Sequence, residues 1–206
     1  MPAMTELASL YNEEHQDVKI TYHADSSGTL LTQIEEGGEC DLVFSAAQKQ
    51  MNQLEADGLV EEGTRANVVN NQVTVVTRKG SGTQVNLGVL DEAEDVSDIT
   101  AQEVSDALGG VEISEQDNVS KVLAAVAEGS CEVGTIYYSD FYGYENELNI
   151  LETVSYDLTG SVLYPIARVK NAEADERQRE AAGDFLEFIL SDQAKAVFES
   201  YYFDTE

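Results

Sequence analysis

Short apolar runs alternate with helix-period segments along this chain, and the alternation restarts midway, which restricts the fold to layered α/β architectures. Met4, Leu7, Ala8 and Tyr11 recur at helical spacing and predict a first amphipathic helix. Val18-Lys19-Ile20-Thr21-Tyr22 alternates apolar and polar residues and predicts a strand. Ser26-Ser27-Gly28-Thr29 opens a helix that carries Leu30, Leu31 and Ile34 and closes at Gly37-Gly38. Leu42-Val43-Phe44 reads as a short buried strand, followed by a helix with Met51 and Leu54 and a strand at Val73-Thr74-Val75-Val76-Thr77. The order α, β, α, β, α, β predicts mainly parallel sheets flanked by helices.

Lys79-Gly80-Ser81-Gly82 interrupts the pattern and reads as a crossing point, after which the same grammar returns. Strands are predicted at 87–90, 111–113 and 133–138, and helices at 101–108 and from Asn118 through Val126. Two extended runs follow, 149–154 and 161–169, and then two helices, one with Phe185, Leu186 and Ile189 and one with Ala194, Val197 and Phe198, capped by Ser191. Two similar halves with late extended runs predict two lobes: residues 1–79 with 166–206, and an inserted lobe of residues 80–165. In such architectures a ligand lies in the cleft at the carboxyl ends of strands, often against helix N-termini. That expectation carries no chemistry by itself.

Composition narrows the partners. Forty acidic residues against 11 basic ones give a net charge of -29, which excludes nucleic acid and anionic membrane surfaces. The acidity fits a halophilic or extracellular setting and, more plainly, a solvated surface. No stretch approaches the roughly 18 apolar residues needed to span a bilayer. Met1-Pro2-Ala3-Met4-Thr5 leads straight into a helical pattern, so a signal for export is expected upstream or already removed. Cys40 and Cys131 are too few for a disulfide framework and lack metal-ligand spacing; each precedes an apolar run, as buried free thiols do.

Among candidate sites, the Ser26-Ser27-Gly28-Thr29 turn is the most informative. Hydroxyls and unbonded N–H groups at a helix start form an anion cradle, although a plain N-cap explains the same residues. Asp117-Asn118-Val119 marks a second such start, with Asn118 as cap. Two helix starts hold a tetrahedral dianion through neutral dipoles, without the scarce Lys and Arg. The Tyr137-Tyr138-Ser139-Asp140-Phe141-Tyr142 segment either lines a pocket or ends a strand. A hydrolase built on Ser27 and His23 has no G-x-S-x-G elbow to support it, and His15 and His23 read as surface or strand positions. The acidic runs at 91–95 and at Asp175-Glu176 lack the glycine turn and ligand spacing of an EF-hand.

Four motifs, in order, resemble the periplasmic molybdate-binding protein family of ABC importers. Asp25-Ser26-Ser27-Gly28-Thr29-Leu30-Leu31-Thr32-Gln33-Ile34 is similar to that family's S-S-G-T-L-x-x-Q-I turn, and the run from Cys40 to Met51 to its A-D-L-F-I-S-A-x-Q-x-x-M strand and helix. Gly134-Thr135-Ile136-Tyr137-Tyr138-Ser139-Asp140 resembles G-I-V-Y-x-S-D, and Tyr164-Pro165-Ile166-Ala167 resembles the returning Y-P-x-A strand. The resemblance implies an α/β, two-lobed periplasmic-binding-protein type II fold and no enzymatic activity. It implies molybdate or tungstate as ligand, no cofactor and no metal cation. The ligands carried over are Ser27, the Val119 N–H and the Tyr137 hydroxyl, with Ser26 and Asn118 as supporting neighbours. It also implies a monomer outside the cytoplasm, periplasmic or extracellular or lipid-anchored in a full-length form, that serves an ABC importer permease.

Three departures qualify the site. The family's first strand ends in A-A-S-L/M, whose serine is a ligand; here Pro2-Ala3-Met4 stands in that place and Ala3 has no hydroxyl. The family's V-P-A-G-x-Y loop is replaced by Val96-Ser97-Asp98-Ile99-Thr100, and a carboxylate at Asp98 facing the site would repel an anion. The segment between Thr77 and Leu87 is short by a helix. The alternatives are therefore a relative with a different or lost ligand, the hydrolase, and a salt- or Ca²⁺-dependent surface protein. Unfolding at low salt with no stabilisation by any oxyanion is the outcome expected of the last, read from melting curves over a salt series.

Overall fold

The computed structural model describes residues 2–83 and 118–205. The predicted elements at 87–90, 101–108 and 111–113, the acidic run at 91–95, and Asp98 lie outside the described residues. The chain divides into two compact units, Met1–Asn70 with Val162–Glu206, and Asn71–Ser161.

In the first unit, α1 (Pro2–Glu14) buries Ala3, Met4, Leu7, Ala8 and Tyr11, the apolar spacing read from the sequence. Pro2 costs α1 nothing, because the N–H it lacks would have no partner in a first turn. Two C-terminal helices, α6 (Glu176–Ile189) and α7 (Asp192–Ser200), pack with α1 around Leu7, Val69, Ile166, Ile189 and Phe198. Ser191 caps α7, its side chain accepting the Ala194 N–H at 3.2 Å. A smaller cluster joins α2 (Ser27–Glu35) and α3 (Gln48–Ala56) through Ile34, Met51 and Leu54. The sheet of this unit has the order β1 (Leu42–Phe44), β6 (Val162–Arg168), β2 (Ala66–Asn71), with Val43 opposite Ala167 in an antiparallel ladder. Basic side chains are drawn into ion pairs: Arg65 with Glu55, and Arg168 with Glu61 at 3.3 Å.

In the second unit, β3 (Val73–Arg78) lies between β4 (Val133–Tyr137) and β5 (Leu148–Thr153), antiparallel to both. Thr74, Val75, Val76 and Thr77 are all buried, so β3 is covered on both faces. Helix α4 (Val119–Glu128) ends at Gly129, whose φ of +81° is the left-handed conformation glycine adopts freely. The helix sits directly on Gly134 of β4, where an added Cβ would stand 2.7 Å from both Val122 Cγ1 and Val126 Cγ2. A single turn, α5 (Tyr156–Thr159), follows β5.

Two expectations need correction. Val18 to Tyr22 forms no ladder among the described residues. Its alternation is satisfied by packing: Val18 and Ile20 lie against the first core, and the Tyr22 hydroxyl donates to the Met4 carbonyl at 2.7 Å. Period-2 patterning specifies a face to bury, whereas a ladder also needs a free strand edge in register. Three of the ladders are antiparallel, β6 running against β1 and β3 against both of its neighbours. The units divide at Asn71 and Val162 rather than at 80 and 166, because β3 makes its ladders with β4 and β5.

Phe198 is fully buried, with Phe44 and Phe203 rings at 6.1 and 5.9 Å. Phe198→Ala should remove about 3–5 kcal/mol of stability in urea unfolding. Leu190→Ala, at a position 38% exposed, should change it by no more than about 0.5 kcal/mol.

Candidate functional site

The start of α2 is a capped helix N-terminus. Ser26 is the N-cap, with φ -61° and ψ 147°, and its hydroxyl is occupied locally: it accepts the Thr29 N–H at 3.2 Å and shares a hydrogen bond with Thr29 Oγ1 at 2.8 Å. The Asp25 carboxylate accepts the Ser26 N–H at 2.7 Å. Capping leaves the next two N–H groups, of Ser27 and Gly28, without a partner among the described residues, and the Ser27 hydroxyl also has none. Ser27 is half-buried, and a Cβ at Gly28 would meet nothing within 4 Å. Three donors thus lie at the positive end of a nine-residue helix.

The start of α4 repeats the arrangement in the second unit. Asn118 is the N-cap, as predicted, its side chain accepting the Lys121 N–H at 3.1 Å. The Val119 N–H has no partner among the described residues. Val119, Val73, Thr135, Ile136 and Tyr137 line one cavity of about 210 Å³. The half-buried Tyr137 ends β4 and its hydroxyl likewise has no partner among the described residues. Two of the residues singled out from the sequence, 18 positions apart, therefore meet in one cavity because α4 packs so closely on β4 at Gly134.

Beyond Tyr137, which ends the strand and lines the cavity, the tyrosine-rich segment tightens into a 3₁₀ turn, Tyr138–Phe141. The turn is held by Asn71, which sequence reading passed over: its Nδ2 donates to Ser139 Oγ at 2.8 Å and its Oδ1 accepts the Ser139 N–H at 3.3 Å. The only sequence signal was a polar triplet, Asn70-Asn71-Gln72, ahead of an apolar strand. Burial pushes the Asp140 carboxyl above its usual range, partly opposed by a hydrogen bond from the Tyr137 main chain.

Other candidates are placed as follows. Ala3 is buried in the first core at 3% exposure, so its side chain offers nothing to a ligand. His23 is exposed and makes no hydrogen bond to Ser26 or Ser27 among the described residues. Cys40 and Cys131 are free thiols and half-buried rather than fully buried; burial pushes the Cys40 thiol up, and its Sγ lies 3.1 Å from the Leu42 carbonyl as a donor. No group of three or more His, Cys, Asp or Glu able to hold a metal ion occurs among the described residues.

Residues 1–204 match the model of the bacterial extracellular solute-binding protein family. An ABC transporter substrate-binding lipoprotein assignment belongs to a Bacillus subtilis relative, YvgL, that is 29% identical over 99% of this chain and 82% of its own. The molybdate-binding protein ModA of Haemophilus influenzae is 26% identical over 99% of this chain and 86% of its own. Among solved structures, a substrate-binding domain assigned to a molybdenum ABC transporter of Clostridium difficile superposes with a TM-score of 0.80 and 26% identity, covering 100% of this chain and 94% of that one.

A carboxyl raised by the fold favours its protonated form, so its contribution to stability is present below the unfolded value and lost as pH rises through the folded one. At pH 7 the ionised Asp140 is therefore a cost. Asp140→Asn should raise the melting temperature at pH 7, and the gain should vanish near pH 3, below the ordinary aspartate value of about 3.9.

Proposed function

This chain belongs to the bacterial extracellular solute-binding proteins, a family that binds solutes rather than transforming them, and we propose that its solute is a tetrahedral oxyanion, molybdate or tungstate. The donors in this reading are Ser27, the Val119 N–H and the Tyr137 hydroxyl, with Ser26 and Asn118 fixing the helix starts. The observation that carries it is the cavity of the second unit, lined by Val119 at a helix start and by Tyr137, whose N–H and hydroxyl respectively have no partner among the described residues. Neutral dipoles at a helix start favour an anion without a counter-charge. That suits a chain with only 11 basic residues. The names of the Haemophilus and Clostridium relatives, which specify molybdate and molybdenum, support the choice of ligand. Delivery to an ABC importer permease by a monomer working outside the cytoplasm completes the reading, in keeping with the Bacillus relative's name.

The buried side chain of Ala3 favours a second reading, a relative whose ligand is different or lost. One charge-assisted hydrogen bond contributes about 1.5–3 kcal/mol, so a missing serine donor weakens binding roughly ten- to a hundredfold. Thermal unfolding with molybdate, tungstate, sulfate and phosphate separates the two. At a hundred times its dissociation constant a ligand adds about 2.7 kcal/mol, a shift of several degrees. A shift with molybdate or tungstate and none with sulfate is expected, and Tyr137→Phe should lower the affinity roughly ten- to a hundredfold. No shift with any oxyanion would sink the reading and leave the family's binding role with an unidentified solute.

A further inference from the structure

Tyr137 makes its contribution from the last position of a strand, where ladder support runs out. The β3–β4 register pairs Val73 with Tyr137, and one further bond, from the Tyr138 N–H to the Gln72 carbonyl at 2.8 Å, extends it. At the next step the chain has turned into the 3₁₀ segment and main-chain pairing stops. A side chain takes over. Asn71 is 1% exposed, and its amide meets Ser139 twice, through Nδ2 to Ser139 Oγ at 2.8 Å and through Oδ1 from the Ser139 N–H at 3.3 Å. The same Oδ1 accepts the Gln72 N–H at 3.0 Å, which locks the amide to its own strand. On the neighbouring side, the Gln72 side chain donates to the Val154 carbonyl at 2.9 Å. A buried amide satisfied in this way is rigid, and removing it leaves main-chain and hydroxyl groups of the turn without partners.

We infer that Asn71 is a positioning residue for Tyr137: by clamping Ser139 it fixes the end of β4 and with it the place of the Tyr137 hydroxyl in the cavity shared with Val119. The inference deepens the oxyanion reading and, for its effect on affinity, rests on it. Asn71 touches no ligand in this account. Its effect passes through Tyr137, and that distinguishes it from a residue that merely supports the fold.

The test is a double-mutant cycle on molybdate affinity, measured by calorimetry, with Asn71→Ala and Tyr137→Phe singly and together. Hydrogen-bonding partners of metal ligands typically cost about 10–100-fold on removal, and on that scale a loss of at least about tenfold is expected for Asn71→Ala in the wild-type background. In the Tyr137→Phe background the same change should cost less than about twofold. Equal losses in both backgrounds mean independent action and overturn the inference. Ser139→Ala, which removes the Oγ acceptor and keeps the main chain, stands in should Asn71→Ala fail to fold, with the same pattern expected. A second readout needs no ligand. The Tyr137 ring resonances, assigned by their loss in Tyr137→Phe, should shift or broaden in the Asn71 or Ser139 variant, and unchanged resonances overturn the inference. A wild-type chain that binds neither molybdate nor tungstate defeats the functional reading alone, and the ring resonances then decide on Asn71.

Discussion

The close seating of α4 on Gly134 is the contact on which the candidate site depends. A helix whose valines come within van der Waals reach of a bare backbone lies lower on the sheet than one resting on a side chain. That depth brings the first turn of α4 beside the end of β4, so Val119 and Tyr137 line one cavity. The rest of the second unit supports this arrangement: β3 is buried on both faces, Gly129 stops the helix, and Asn71 finishes the strand where the ladder ends.

The division of labour at the two helix starts is similar. In each, one residue spends its side chain on capping, Ser26 on the Thr29 N–H and Asn118 on the Lys121 N–H. The main-chain donor of the residue after it has no partner among the described residues. Capping thus serves stability and at the same time leaves the first N–H groups aimed outward. The proposed chemistry needs no cation from a chain whose Arg65 and Arg168 are already engaged with carboxylates.

What was legible in the sequence was local. Asn118 and Ser191 announce their caps within three residues, Gly37 and Gly38 close α2 through bonds back to Ile34 and Gln33, and the apolar spacing of α1 matches its buried face. The strand expected over Val18 to Tyr22 failed because alternation encodes burial and says nothing of a partner edge. The crossing point expected at Lys79 to Gly82 is a turn inside the second unit, with the Ser81 N–H bonded to the Arg78 carbonyl at 3.1 Å. Glycine-rich punctuation looks the same in a hairpin and in a passage between units. The meeting of Val119 with Tyr137 was available only through family resemblance. The Asn71–Ser139 clamp spans 68 positions and leaves no periodic trace at all.

For the proposed oxyanion, the imbalance of 40 acidic residues against 11 basic ones bears on how quickly the ligand arrives as well as on how firmly it is held. A dianion approaching so acidic a molecule climbs a repulsive potential before it reaches any helix start. Its rate of capture is therefore held below the neutral diffusive value, and added salt, by shortening the reach of that field, speeds it. On the proposed reading the protein loads fastest in salty surroundings, whereas a lysine-lined anion site is slowed by the same change.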